Sequence, residues 1–400
     1  MASRGASSFF GSLFLARLAD QVLLILVPLV VYQQTRNVGW SGLAFMLETL
    51  PRYLMFPLFG ILCDRVSPVK LLRISQRSRA IISLVGIACF MTWGGLGWLI
   101  GLSAVCGVLT GQGFVAREVV LPQAFPEQPY QQVASSAQLA DQLGMVLGPL
   151  LAAGLLKWWN WQGGFMVASA IFLLADLSAG RWLRYSQRSG WQPNEREPWG
   201  QALLRAFALV WRLPGLPRLV AQAAAINLLL GGVLATSAAL VTGFYLRSEA
   251  SYATLQAWAA AVTVVTLLLI ARVSVPQRLL GILSYFSIMA GGLLAALSPT
   301  YLGYWLGYLL ITGFDKSYSI YMRSERQQVI PAGDFGKVTG AMILFNNLSQ
   351  PLAGALVGLV HSMAQTRSLL LGMALFMGAV GVLSFWGRRQ GRVNPASQRC

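Results

Sequence analysis

The chain has 400 residues, of which 56% are hydrophobic and 11% are charged, and its formal net charge at pH 7 is +17. A soluble globular protein carries about a quarter charged residues, so this composition excludes an ordinary soluble domain and indicates a membrane protein. A net charge this positive is also compatible with nucleic-acid binding, and the positions of the basic residues test that interpretation below.

Apolar stretches of about 20 residues, each long enough to cross the roughly 30 Å hydrocarbon layer as a helix, recur along the chain. Span 1 is longer than the apolar core of a signal peptide, and no small-x-small cleavage site follows it. We therefore expect it to remain in the protein as a transmembrane helix. The stretches are continuously apolar and lack the alternation of apolar and polar residues that is typical of barrel strands. This difference favours helices over a β-barrel. We expect twelve spans, at 9–33, 40–63, 75–93, 97–116, 133–156, 161–180, 218–243, 253–271, 279–297, 299–320, 338–360 and 366–386.

Lysine and arginine residues crowd into alternate loops. They follow span 2, surround the polar stretch after span 6, separate spans 8 and 9 and spans 10 and 11, and fill the tail. The opposite loops hold only Arg36, Lys157, Arg247 and Arg367. This positive-inside bias predicts an even number of spans and cytoplasmic termini, in the inner (plasma) membrane. It also explains the basic charge without nucleic acid, which we do not expect as a partner.

The stretch 182–217 is the one long polar segment, and it divides the chain into two halves of six spans. We expect an N-terminal bundle over 1–181, a cytoplasmic linker over 182–217 with a surface-lying helix near 198–212, a C-terminal bundle over 218–387 and a basic cytoplasmic tail over 388–400. Two matches at corresponding places favour a duplication of the halves. REVVLP at 117–122 matches RQQVIP at 326–331, and GPLLAAG at 148–154 more weakly matches QPLAGAL at 350–356.

Span 5 contains DQLGMVLGPLLAAG, residues 141–154, with an acid, glycines and a proline in an apolar run. Gly144, Gly148 and Ala152 recur every four residues, which gives a bare helix face, and Pro149 bends the helix beside it. A membrane helix tolerates such residues where neighbouring helices or a cavity satisfy the freed backbone groups. The pattern therefore predicts close packing of span 5 against another helix.

Several of these motifs resemble those of major facilitator superfamily transporters, over essentially the whole chain. GILCDRVSPVK, from Gly60 to Lys70, is similar to the superfamily's loop motif, and the resemblance implies that Asp64 and Arg65 are a gating pair. GMVLGPLLAAG, from Gly144, resembles the span-5 motif of antiport-type exporters, although Ala152 and Ala153 replace its closing glycines. LTGQGF keeps Gln112 and Gly113 of the span-4 motif, but Leu109 stands where the family has an arginine linked to proton coupling.

Within the superfamily, residues 14–65 resemble the branch of enterobactin-type siderophore exporters. The same layout also resembles lysophospholipid transporters, which likewise carry an acid in span 1. We favour the exporter interpretation.

Charges at membrane depth are costly to insert, by roughly 2.5–3.5 kcal/mol each, and are candidates for function. At 1.5 Å per residue, Asp20 lies about 16 Å from the inner end of span 1 and Glu48 about 12 Å from the outer end of span 2. Arg17 and Arg52 lie one turn lower, so the four charges could cluster between spans 1 and 2. The cluster either couples transport to protons or only orients the two helices.

Four other charged residues of the spans are considered for a role. Asp141 in span 5 is a candidate for substrate or proton binding, with a gating or packing role as the alternative. Asp176, Asp315 and Lys316 lie near the inner ends of spans 6 and 10 and are expected to be gate or interface charges.

No cofactor, metal site or enzymatic activity is expected. Cys63, Cys89, Cys106 and Cys400 show no paired spacing, and His361 lies at the outer end of span 11, where a solvated interface residue is favoured over a proton relay. No nucleotide-binding or nucleophile motif occurs, so an ion gradient should supply the energy.

The sequence thus predicts an all-α integral membrane protein with twelve transmembrane helices in two pseudo-symmetric six-helix bundles. The expected function is secondary active transport by alternating access, as proton-coupled antiport that exports a small amphiphile such as a siderophore or drug-like compound. Its partners would be that small molecule, a coupling ion, expected to be the proton, and membrane lipid. The alternatives are a lysophospholipid flippase and a non-transporting membrane scaffold or receptor.

Overall fold

The computed structural model describes residues 2–35, 51–185, 197–273, 275–359 and 362–390, and within these ranges the chain is helical without strands. A π-helical turn, Leu240–Phe244, extends the helix that ends at Ala239, and a 3-10 turn, Ala332–Asp334, precedes the helix that begins at Phe335. The helices are α1 (Ala2–Thr35), α2 (Phe56–Arg65), α3 (Pro68–Trp93), α4 (Leu96–Ala124), α5 (Tyr130–Trp158), α6 (Trp161–Tyr185), α7 (Trp199–Arg212), α8 (Leu216–Ala239), α9 (Glu249–Arg272), α10 (Gln277–Leu297), α11 (Tyr301–Val329), α12 (Phe335–Gly358) and α13 (Met363–Gln390). The all-α fold class is confirmed.

Each predicted span coincides with a helix other than α7, although span 2 is described only from residue 51 onward. Residues 51–54 form a helical turn before α2. Helix α7 corresponds to the surface-lying helix predicted near 198–212, and it buries Ala202, Ala206 and Val210 on one face. Most of the predicted linker before α7 and the last ten residues lie outside the described ranges.

Seven helices of the described residues are long and apolar enough to cross a membrane, by length and composition. Helix α3 falls short because Arg77 and Arg79 lie within its apolar part and lower its mean hydropathy. Helix α11 falls short because it contains Asp315, Lys316 and several tyrosines. Helices α3 and α11 therefore carry polar groups within their apolar segments.

The chain divides into two compact units. Unit 1 comprises Met1–Val210 and Ile330–Leu344, and unit 2 comprises Trp211–Val329 and Phe345–Cys400. Helix α12 contributes to both, since its first residues, up to Leu344, belong to unit 1. The predicted domain boundaries at 181/182 and 217/218 stay a prediction.

In unit 1, α1 packs against α5 and α6, and α3 packs against α4 and α6. Small and branched apolar residues fill the space between these helices, which allows close approach of their backbones. The connection from α3 to α4 needs two glycines, because Gly94 and Gly95 adopt φ angles of +67° and +81° that other residues avoid. The core residues include Ala19, Val22, Leu26, Ala80, Ala152 and Phe172.

In unit 2, α10 packs against α11 and α13, α9 against α11, and α8 against α13. Two glycines set the closest approach, because a Cβ added at Gly291 would lie 2.7 Å from the Gly307 carbonyl oxygen. The Tyr318 hydroxyl donates to Gln222 Oε1 at 2.9 Å across the interior. Unit 2 thus combines small-residue packing with hydrogen bonds between uncharged groups.

Candidate functional site

The carboxylate of Asp20, on α1, is bound by groups from two other helices of unit 1. Arg79 of α3 forms a salt bridge to it through Nη1, and Thr110 of α4 donates to Oδ1 at 3.1 Å. The Arg79 side chain is 3% exposed and that of Asp20 15%, so the carboxylate is the more accessible partner. Arg79 also lies 4.5 Å from the centroid of the Phe172 ring. The charged pair is thus enclosed by helices but reachable from the Asp20 side.

A cavity inside unit 1 borders the Asp20 side of this pair. Its polar lining comes from Asp20, Ser83, Ser103 and Thr110, and the rest of the lining is mainly apolar. The cavity has room for about one water molecule. Polar groups on several sides of a space this size can hold water or pass a proton to the carboxylate.

Sequence reasoning did not single out Arg79, which lies in the first turns of predicted span 3, close to the basic residues that follow span 2. Its position provided a signal, since Ser75, Arg79 and Ser83 recur every four residues and place a polar stripe on an otherwise apolar span. The stripe faces α4: Ser75 donates to the carbonyl oxygen of Leu109 at 2.6 Å, and a Cβ at Gly113 would lie 3.6 Å from Arg79 Nη2. Arg79 therefore brings a guanidinium to the part of α4 where Leu109 replaces the arginine of the family motif.

A second buried charge cluster connects α4 and α5. Arg117 Nη1 donates to Asp141 Oδ2 at 2.5 Å, and Arg117 Nη2 to Glu118 Oε1 at 3.3 Å. All three residues are buried. Helix α4 extends to Ala124, beyond predicted span 4, which keeps Arg117 and Glu118 inside the helix. Asp141 is thus held by an ion pair with the neighbouring helix.

The other members of the predicted four-charge cluster are less tightly held. Arg17 lies within electrostatic range of Asp141, Asp20 and Arg52. Arg52 places its guanidinium 5.1 Å from the centroid of the Tyr53 ring. Glu48 lies outside the described residues, so the grouping of all four charges stays a prediction.

The glycines of the span-5 motif face α1. A Cβ at Gly144 would lie 2.8 Å from Arg17 Cβ, and one at Gly148 would collide with Gln21 Cβ and lie 3.3 Å from the Leu18 carbonyl oxygen. Ala152, four residues further on, is fully buried. Pro149 lies inside α5, which continues past it to Trp158. The bare face of α5 is therefore in direct contact with α1.

The loop-motif residues contact the first turn of α12, within unit 1. The two oxygens of Asp64 accept hydrogen bonds from the backbone amides of Gly336 at 2.8 Å and Lys337 at 3.0 Å. A carboxylate in this place satisfies free amides and complements the positive end of the helix dipole. Gly60 permits the approach, because a Cβ there would lie 2.9 Å from the Lys337 Cα.

Charged side chains surround this contact. Lys337 Nζ lies 2.6 Å from Glu197 Oε2 and 2.9 Å from Asp334 Oδ1, and Arg205 of α7 bonds Asp334 at 3.1 Å. Arg65 donates to the Glu197 carbonyl oxygen and lies 4.4 Å from the centroid of a Trp199 ring.

Asp64 lies just beyond predicted span 2, and burial has the largest effect on its protonation. Burial raises the pKa of Asp64 to about 7, although the amides of Lys337 and Gly336 act in the opposite direction. The carboxyl therefore changes its charge near neutral pH.

The remaining predicted residues are held by local pairs or lie outside the described ranges. Asp176 of α6 binds Arg73 and Arg77 of α3, each at 2.8 Å, and Asp315 lies 2.7 Å from its neighbour Lys316. His361 and Cys400 are outside the described residues. The other cysteines, Cys63, Cys89 and Cys106, form no disulfide bond within the described ranges.

An all-helical fold with paired charges inside an apolar bundle is typical of membrane transporters. The chain belongs to the Major Facilitator Superfamily, whose family description matches residues 9–322. It is therefore a membrane-embedded transporter of that family, and the family is not in general one of enzymes.

Two curated relatives agree with this assignment. An uncharacterized MFS-type transporter, y4rN, of Sinorhizobium fredii is 23% identical over 385 residues, which is 92% of each chain. A multi-drug resistance efflux pump PmrA homolog of Lactococcus lactis is 28% identical over 145 residues, or 34% of this chain and 33% of the relative.

Solved structures share the fold at low sequence identity. The human organic anion transporter MFSD10 has a TM-score of 0.75 at 16% identity, covering 96% of this chain and 99% of that one. A bacterial homologue of the iron transporter ferroportin has a TM-score of 0.75 at 15% identity with the same coverage. The transporter FucP has a TM-score of 0.70 at 15% identity, covering 95% and 98%.

Proposed function

We propose that this transporter is a proton-coupled exporter of a small amphiphilic molecule, a siderophore or a drug-like compound, and works by alternating access in the inner (plasma) membrane with both termini in the cytoplasm. The observation that carries the proposal is the Asp20–Arg79–Thr110 group beside the cavity of unit 1. The name of the Lactococcus relative, an efflux pump, supports export.

The coupling mechanism follows from the partners of Asp20. A carboxylate beside an arginine holds its proton less tightly than one that has lost that partner. If alternating access separates Arg79 from Asp20, the carboxyl binds a proton, and it releases the proton when the salt bridge reforms. Proton binding and helix movement are thereby linked through one ion pair, with Arg79 in the role that the family motif gives to the arginine missing at Leu109.

The first experiment identifies the transported substrate. We expect one compound to be present in the culture medium of the parent strain and absent from that of a deletion strain, in iron-poor or iron-rich growth. A siderophore would depend on iron supply. A lysophospholipid whose distribution between the leaflets changes would instead support the flippase alternative.

The coupling test uses that compound in proteoliposomes with an imposed pH gradient. Asp20→Asn and Glu48→Gln should each yield a folded, inserted protein that binds the compound but does not move it in response to the gradient. Glu127→Gln, which changes an exposed carboxylate outside the spans, should transport as the parent does. If both Asp20→Asn and Glu48→Gln transport at the parental rate and with the parental pH dependence, the charge cluster has only a structural role. Asp141 would then be the next candidate for the coupling residue.

A further inference from the structure

Arg17 is a partly buried cation on the side of α1 that packs against α5. Its Nε–H group is enclosed and donates to no acceptor among the residues that the structure describes. The residue as a whole is only partly buried, so some of the side chain remains open to a ligand. Its stem passes directly over Gly144, where a Cβ would lie 2.8 Å from Arg17 Cβ and 2.9 Å from Arg17 Cγ. A missing side chain on α5 therefore makes room for this arginine.

The acids that attract Arg17 are already bound by other arginines. Asp141 and Asp20 have the strongest favourable effects on its charge, but Asp141 is bonded to Arg117 and Asp20 to Arg79. Among the residues that the structure describes, no carboxylate is left for Arg17. A buried guanidinium in this position gains more from an incoming anion than a paired one would, because no existing ion pair has to be broken.

Arg52 is a second cation within electrostatic range of Arg17, and the two repel each other. It has no carboxylate partner within the described ranges and lies instead against the Tyr53 ring. Aromatic side chains continue from this point, since the Phe56 ring lies 5.8 Å from Tyr53 and 6.0 Å from Phe114, centroid to centroid. The guanidinium of Arg52 thus stands beside an aromatic surface.

We propose that Arg17 and Arg52 form the anion-recognising part of the substrate site and that the transported molecule is an amphiphilic organic anion. The guanidinium fork matches carboxylate, sulfonate or phosphate oxygens, and Tyr53 and Phe114 offer apolar area to the rest of the molecule. An anion between the two arginines also removes their repulsion. The inference rests on the proposed function, export of a small amphiphile, and adds the charge of the substrate.

The test compares two fluorescent probes on the purified full-length protein in lipid nanodiscs, with empty nanodiscs subtracted. 8-Anilinonaphthalene-1-sulfonate is an aromatic anion, and N-phenyl-1-naphthylamine has a similar aromatic body without the charge. Arg17→Gln and Arg52→Gln should each weaken sulfonate binding, by about tenfold or more for Arg17→Gln, as expected for a charged hydrogen bond, and leave binding of the neutral probe unchanged. Arg17→Lys should retain part of the affinity. Arg181→Gln, an exposed arginine of α6, is the matched control and should bind both probes as the parent does.

Three outcomes would overturn the proposal: equal sulfonate affinity in Arg17→Gln and the parent, equal loss in folded Arg17→Lys and Arg17→Gln, or parallel loss of both probes. Glu48→Gln is included because that acid is outside the described residues, and it should bind the anion at least as tightly as the parent. A loss with Glu48→Gln as large as with Arg17→Gln would also contradict an anion site. No pH gradient is present, so this result is independent of the coupling experiment.

Discussion

Asp64 combines a helix-capping role with a protonation change near neutral pH. Ionised, its two oxygens bind the first amides of α12 and complement the dipole of that helix. Its burial next to Asp334 disfavours the ionised form, whereas Lys337 favours it. Small changes around this carboxyl therefore shift its charge within the physiological pH range.

The raised pKa of Asp64 makes the stability of the folded protein depend on pH. The folded-state pKa of about 7 lies above the ordinary value of 3.8, so between these values the folded protein binds more protons than the unfolded chain. The contribution of Asp64 to stability thus falls as pH rises from about 4 to about 7 and is constant above that. Within this range the free energy of unfolding changes by about 1.4 kcal/mol per pH unit, which is large enough to detect.

We expect Asp64→Asn to remove this slope. Thermal unfolding of the detergent-solubilised protein between pH 4.5 and 8.5 measures it, as the difference between variant and parent at each pH. Glu127→Gln, at an exposed carboxyl, should leave the slope intact. A slope in Asp64→Asn identical to the parent's would assign the titration to other groups.

At the scale of helices, the contact between α1 and α5 depends on the absence of side chains. Gly148 lies against the backbone and Cβ atoms of α1, whereas a Cβ at Gly154, six residues later on the same helix, would meet no atom within 4 Å. These two glycines therefore separate the effect of packing from the effect of glycine on helix propensity.

Gly148→Leu should insert in the membrane and be expressed, but lose transport. The added side chain forces α5 away from Gln21 and Leu18, and overpacking of this kind costs about 1–3 kcal/mol or more. Efflux of the identified compound, normalised to protein amount, is the measurement, and Gly154→Leu is the control that should transport normally. If Gly148→Leu transports as well as Gly154→Leu, the motif resemblance has no functional meaning.

The helices could be predicted from the sequence, but the partners of the buried charges could not. Hydropathy over about 20 residues is a local property, and it located the spans and the surface helix α7. Spacing along one helix grouped Asp20 with Arg17, whereas its salt bridge goes to Arg79, 59 residues away. The polar stripe of one helix faces a particular neighbouring helix because of the rotation and packing of both helices. A single sequence does not encode these in a local pattern.

For the whole molecule, the asymmetry of basic residues between loops predicts orientation. Lys and Arg resist transfer across the membrane, so the loops rich in them stay in the cytoplasm. Reporter fusions after residue 190 and at Cys400 should both read cytoplasmic, and a fusion near Trp159 should read external. An external C-terminus would contradict the count of twelve spans.

The partners of α3 also affect how the protein is made. Of the acids that bind its arginines, Asp20 is synthesised before α3, but Asp176 is 103 residues beyond Arg73. At translation rates of about 5–20 residues per second, α3 leaves the ribosome about 5–20 s before α6 can neutralise Arg73 and Arg77. During that interval these arginines remain in water or among lipid headgroups, so the docking of α3 on α6 is completed only after α6 has been made.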